Sequence, residues 1–174
     1  MSQKWHEKWE VIKDKQGDKD DIFLMSPFIA MSKEVDDFPY LAVIKLPIDN
    51  LFEENPTFSM ELFESEKVYN CESYFDLLDL NLNPIEIDEF LGKFLSFEIG
   101  HLTYYMGAIL ESNKYLFNSG FLDFITSNIN LFDNLDSIVI NSKYNGYINM
   151  ARGELSTVNF IDKLSILIQH SQTI

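Results

Sequence analysis

The chain has 174 residues, of which 28 are Asp or Glu and 13 are Lys or Arg, for a formal charge of −15. Its 15 Phe, 8 Tyr and 2 Trp exclude the composition of a disordered chain, and the single cysteine, Cys71, excludes an intrachain disulfide framework. Nucleic acid and anionic membranes are excluded as expected partners, because both are bound through Lys and Arg, and Arg152 is the only arginine.

A chain of this length can bury roughly 70% of its unfolded surface around one core. No repeat, low-complexity tract or Pro/Ser linker divides it, so residues 1–174 are expected to form a single globular domain with a polar N-terminal segment at 1–21. The first residues hold no apolar core of a signal peptide, and no apolar run approaches ~20 residues, so the expectation is a soluble, cytoplasmic protein.

In the N-terminal segment Trp5 and Trp9, four apart, are placed to dock one helical face. Gly17 and the acidic residues after it mark a turn. Residues 22–31 form a strand-like apolar run in which Pro27 costs a ladder bond, which indicates an edge or a bulge. Residues 40–48 are apolar on both alternating faces apart from Lys45 and read as a central strand. After Pro56 the chain alternates, with Phe58, Met60 and Leu62 on one face and Thr57, Ser59 and Glu61 on the other, a half-exposed strand. Residues 77–83 alternate likewise, with Leu78, Leu80 and Leu82 on one face, and read as another strand.

Beyond Asn83 the period changes. Asn83, Pro84 and Glu86 suit a helix start, and Ile87, Phe90, Leu91, Phe94 and Leu95 recur at three and four. Leu102, Tyr105, Met106, Ile109 and Leu110 repeat the spacing, so two helices broken near Gly100 are expected. Residues 121–132 read as a shorter helix. Asn145-Gly146 between two extended runs predicts a hairpin over 136–150, with Tyr144 facing Tyr147. A last helix is expected from about Thr157, capped by Ser156, with Phe160, Ile161, Leu164, Leu167 and Ile168 inward. The expected fold class is α+β: a mainly antiparallel sheet in the first half, packed against helices from the second half, with the late hairpin near 136–150.

The familiar chemistry is sparse. Glu98 and His101 have the Glu-x-x-His spacing of carboxylate-bridged metal sites, but those sites need a second copy, and the sequence has none. Cys71 has only Lys67 to lower its pKa and reads as an idle thiol. Asp18, Asp20 and Asp21 lack the glycine and glutamate of a calcium loop. No nucleophile elbow or phosphate-binding glycine loop is present. The chain is therefore expected not to be an enzyme, and no catalytic residue, metal or cofactor is assigned.

The remaining signal is charge asymmetry. Residues 34–89 hold 15 acids against Lys45 and Lys67, a net −13 that accounts for almost the whole excess. Large aromatics are interleaved with these acids, and together they suit docking on a basic protein, with aromatics as anchors and carboxylates for steering. The candidate partner-binding residues are Asp36, Asp37, Phe38 and Tyr40; Phe52, Glu53 and Glu54; Glu61, Glu64, Glu66 and Tyr69; and Glu72, Asp76 and Asp79. The expected function is an acidic inhibitor, an immunity protein that neutralises a basic nuclease-type bacterial toxin by docking on or beside its active site. A phage-type decoy of nucleic-acid machinery follows the same physics. The alternative from another class is a non-catalytic adaptor or assembly subunit with an apolar, aromatic interface to a sister chain, as a homo- or hetero-oligomer. An enzyme without a recognisable motif is the remaining reading.

Overall fold

A computed structural model describes residues 7–16, 19–31, 40–49, 51–64, 71–80, 94–109, 113–144 and 148–172. Its strands are β1 (Glu10–Gln16), β2 (Lys19–Met25), β3 (Ile29–Met31), β4 (Tyr40–Pro47), β5 (Thr57–Glu64), β6 (Phe94–Ile99), β7 (Leu102–Ile109), β8 (Lys114–Leu116), β9 (Ser137–Tyr144) and β10 (Ile148–Ser156). Its helices are α1 (Tyr74–Asp79), α2 (Phe121–Ser127), α3 (Ile129–Asp133) and α4 (Phe160–Gln172).

The ten strands form one antiparallel sheet in the order β1-β2-β4-β5-β8-β7-β6-β9-β10, with β3 paired to β4 alone. The sheet curls until its far end meets its beginning. A Cβ on Gly153 of β10 would lie 2.6 Å from the Met31 sulfur and 2.7 Å from Ile29 Cγ2, both on β3. Only glycine allows so close an approach of the two strands. At the C-terminal end of β10 and just beyond it, the Trp9 indole N–H donates to the Ser156 carbonyl at 2.7 Å, and the Trp9 backbone N–H donates to the Val158 carbonyl at 3.1 Å.

Curling gives the sheet an inward face whose side chains meet in one core. Ala42, Ile44 and Leu46 of β4, Phe58, Met60 and Leu62 of β5, Leu95, Phe97 and Ile99 of β6 and Ile138 and Ile140 of β9 all belong to it. Their strict alternation is the period of a strand with one buried face. Helices α2, α3 and α4 add Phe121, Ile125, Phe132, Phe160, Leu164 and Leu167 to the same core. A second, smaller core lies on the other face of β4, where Leu41 and Val43 meet Ile12, Phe23, Met25 and Phe63 under Tyr74 and Leu77 of α1. Strand β4 is therefore buried on both faces, as its two apolar alternations imply.

The expected division into a first-half sheet and second-half helices is overturned. Strands β6 to β10 all lie in the second half and supply half of the sheet, and the short helices α2 and α3 precede β9 and β10 while α4 ends the described chain. The two helices expected around Gly100 are a hairpin over their described part, with Ile99 opposite Leu102 and Phe97 opposite Tyr104. Gly100 has φ 63° at the first of the two residues that join the strands, a conformation that suits glycine in tight hairpin turns. The spacing of three and four was misleading because Tyr105, counted in the helical stripe, faces solvent, whereas Met106 beside it is buried. Ile87, Phe90, Leu91 and Leu110 lie outside the described residues.

The strand expected at 77–83 is also overturned, since Tyr74–Asp79 is helical. Ser73 provides the start signal: its hydroxyl accepts the Asp76 N–H at 3.2 Å, as an N-cap does. Leu77 is buried, Leu80 is exposed, and Leu82 lies outside the described residues. Where the N-terminal segment is described, Glu10–Gln16 is a strand, with Gln16 opposite Lys19 in β1 and β2. Trp5 and Gly17 lie outside the described residues. Ser26–Phe28 interrupts the 22–31 run at Pro27, as a proline in a sheet requires. In the late hairpin Tyr144 is opposite Ile148, and Tyr147 lies outside the described residues. The last helix begins at Phe160, because Ser156 is still in β10 and the Thr157 hydroxyl is bonded to the Leu135 carbonyl.

Candidate functional site

The site residues divide according to what the fold does with them. Leu51 and Pro56 are buried and fix both ends of the connection between β4 and β5, with Phe117 N–H donating to the Pro56 carbonyl at 2.8 Å. The residues between them turn outward. Phe52 is 59% exposed and Glu53 and Glu54 are exposed beside it. Facing this loop is α2, which is held by stacking of Phe121 on Phe117 at 3.7 Å and by the Tyr104 hydroxyl, which donates to the Asn118 carbonyl at 2.8 Å. Burial pushes the Tyr104 hydroxyl above its ordinary pKa.

Loop and helix enclose an open groove of about 400 Å³. Leu51, Pro56 and Phe121 contribute to its lining, and Leu122 and Ile168 extend it as half-buried apolar side chains. Phe52, Glu53, Glu54, Asp123 and Thr126 are its exposed members. Among the described residues, three carboxylates line it and no lysine or arginine does. Asp123 is the residue sequence reasoning missed. It follows Phe52–Glu54 at a great distance in the chain, and only the packing of α2 beside the β4–β5 loop brings it there.

Glu72, Asp76 and Asp79 are exposed on and beside α1, next to exposed Phe75 and Leu80. They form a second acidic and apolar patch, which contributes no residue to the groove. Asp76 is partly engaged, since its carboxylate accepts the Glu72 N–H at 3.2 Å. Glu61 belongs to neither patch. It pairs with Lys45 at 2.8 Å, and the Lys45 ammonium also bonds the Tyr74 hydroxyl and sits 4.6 Å from the Tyr74 ring centroid and 5.1 Å from that of Phe23. Burial opposes the charge on Lys45, but Glu61 and Tyr74 outweigh it and raise the pKa above 10.5. Glu61 is thus part of the fastening between α1 and the sheet. Tyr40 and Glu64 are opposite one another on β4 and β5. Asp36, Asp37, Phe38, Glu66 and Tyr69 lie outside the described residues.

The reactive groups considered from the sequence do not converge. Glu98 is on β6 and His101 is in the turn after it, so the helical geometry behind their spacing is absent, and the Glu98 carboxylate accepts from Asn141 at 3.2 Å. Burial, then the neighbouring Asp76 carboxylate, push the Cys71 thiol up, away from a reactive thiolate. Among the described residues no three of His, Cys, Asp and Glu are grouped to hold a metal. A cavity of about 40 Å³ lies inside the curled sheet among Trp9, Phe97, Phe117 and their neighbours, with a wholly apolar lining. It is far below the ~300 Å³ of a small ligand site and offers no polar group to orient a substrate.

Comparison of the chain with protein-family models, with curated proteins and with solved structures finds no match. No helix among the described residues is long and apolar enough to cross a membrane.

Proposed function

We propose that this protein is a non-catalytic, acidic inhibitor that works in the cytoplasm by docking on a basic protein. The partner whose chemistry fits best is a nuclease-type bacterial toxin, which would make this chain its immunity protein. One observation carries the reading: exposed Phe52 stands with Glu53 and Glu54 on one side of a groove whose other side presents Asp123. A large exposed aromatic supplies the desolvated anchor of an interface, and uncompensated carboxylates around it steer and pair with cations on the partner. Nuclease clefts are lined with such cations, because duplex DNA carries about one charge per ~1.7 Å. A phage-type decoy would use the same contacts on host machinery.

A second reading, the adaptor that pairs with a sister chain, is favoured by Phe94 and Tyr105. They are 43% and 57% exposed and lie diagonally across β6 and β7 on the outward face. The two readings respond differently to salt, since surface charge attraction is screened over ~10 Å at 0.1 M and apolar contact is not. The test is to tag the protein, purify it gently from its source cells at low salt, and elute with rising salt. The inhibitor reading expects a stoichiometric basic enzyme, released by salt and inactive while bound. A salt-resistant homo-oligomer, or the protein alone, contradicts it.

A further inference from the structure

We infer that the groove between the 51–56 loop and α2 is the seat for one apolar side chain of an extended partner segment, flanked on both sides by lysine or arginine. The inference rests on the reading of the protein as a binder of basic proteins and specifies what part of such a partner it grips. The groove is a built concavity, not merely a group of acids. Leu122 and Ile168 give it an apolar wall, and its volume of about 400 Å³ has room for a large aliphatic side chain. Its carboxylates come from both elements that line it, Glu53 and Glu54 from the loop and Asp123 from the helix. An apolar wall that shares its lining with carboxylates from two elements is complementary to an apolar residue flanked by cations. Phe52 adds to the selection, because an exposed ring face attracts an ammonium or guanidinium and also covers the aliphatic stem behind it. An acidic or neutral segment would meet like charge or leave the carboxylates unpaired, and a purely cationic one would leave the apolar wall wet.

The experiment is an NMR titration of methyl-labelled full-length protein with three capped pentapeptides, Gly-Lys-Leu-Lys-Gly, Gly-Lys-Gly-Lys-Gly and Gly-Glu-Leu-Glu-Gly. The first peptide is expected to shift the methyl signals of Leu122 and Ile168 and to bind more tightly than the other two. Phe52→Ala and Asp123→Asn, each alone, should weaken it by about fivefold or more, as loss of an interface anchor does. Glu154→Gln, at an exposed position of β10 outside the groove, should leave it unchanged. All these positions are exposed, and the methyl spectrum itself reports whether each variant stays folded. The seat is overturned if the largest shifts fall on Leu77 of α1, if the leucine-free peptide binds equally well, or if the groove methyls respond to none of the three. The inhibitor reading fails by a different result, the absence of a salt-released basic enzyme. A groove that ignores the peptides in a protein that still captures such an enzyme overturns the seat alone.

Discussion

Lys45 is the one charge on a strand that is otherwise apolar on both faces, and its surroundings explain why it is tolerated. With 15% of its side chain exposed, it is held by the Glu61 carboxylate, the Tyr74 hydroxyl and two aromatic rings. A buried pair costs desolvation, so its presence adds little over an apolar pair, but removing one partner leaves a stranded charge. Lys45→Met alone is therefore expected to destabilise the fold by roughly 1–3 kcal/mol, below the fully buried case because 27% of the Glu61 side chain remains exposed. Lys45→Met/Glu61→Leu should recover most of that loss in denaturant midpoints. The pair also sets a pH response. Because the folded-state pKa of Lys45 is raised above 10.5, its contribution is complete below that value and is lost as pH rises through the raised one. Tyr104, whose pKa is raised above 10.0, acts in the same direction, since the folded state holds a proton that the unfolded chain releases. The denaturant midpoint should therefore fall as pH rises above the ordinary pKa values of tyrosine and lysine, less steeply in the double variant. An unchanged slope would mean that Lys45 carries none of it.

At the scale of elements, the hairpin at Gly100 separates the observed fold from the helices that local spacing suggests. In a helix, Gly100→Ala would stabilise by up to ~1 kcal/mol. In the hairpin, where φ is 63°, the same change forces an L-residue into the left-handed region and should destabilise by about 1–2 kcal/mol. The sign alone, read from a thermal or chemical denaturation curve, decides between them. The misreading has a physical cause. Where apolar residues are dense, as in Phe94, Leu95, Phe97 and Ile99, the templates of period two and period 3.6 are both satisfied. The choice is then made by tertiary pairing, here of β6 with β7 and β9, which no local window contains. Strands β4 and β5 were legible because Phe58, Met60 and Leu62 alternate with polar residues and Leu41–Leu46 is apolar on both faces. Of the candidate site, Phe52, Glu53 and Glu54 were legible as an acidic, aromatic loop. Asp123 was not, because nothing in its own neighbourhood of the sequence marks it, and the pairing of Glu61 with Lys45 was not, because it is fixed by strand register.

Over the whole molecule, the curled sheet uses its apolar residues on the interior and leaves the described acids of the 51–56 loop and α1 exposed. Loop 51–56 closes one strand connection and α1 lies over the outer face, so both present carboxylates without cost to the main core. In the proposed docking, a net charge of −15 would provide long-range attraction toward a basic surface, and the groove would provide the short-range contact that a field alone lacks. This division predicts that charge neutralisation affects binding but not folding. The most direct measurement is the affinity for the basic partner that the proposal expects to co-purify, at two salt concentrations, ~50 and ~200 mM. It would compare the wild-type chain with a variant carrying Asn or Gln at Asp36, Asp37, Glu53, Glu54, Glu64 and Glu66. Binding by the wild type should weaken steeply with salt, and the variant should bind more weakly and with a shallower salt dependence. Equal affinity and equal salt dependence of the two proteins would contradict docking through the acidic face.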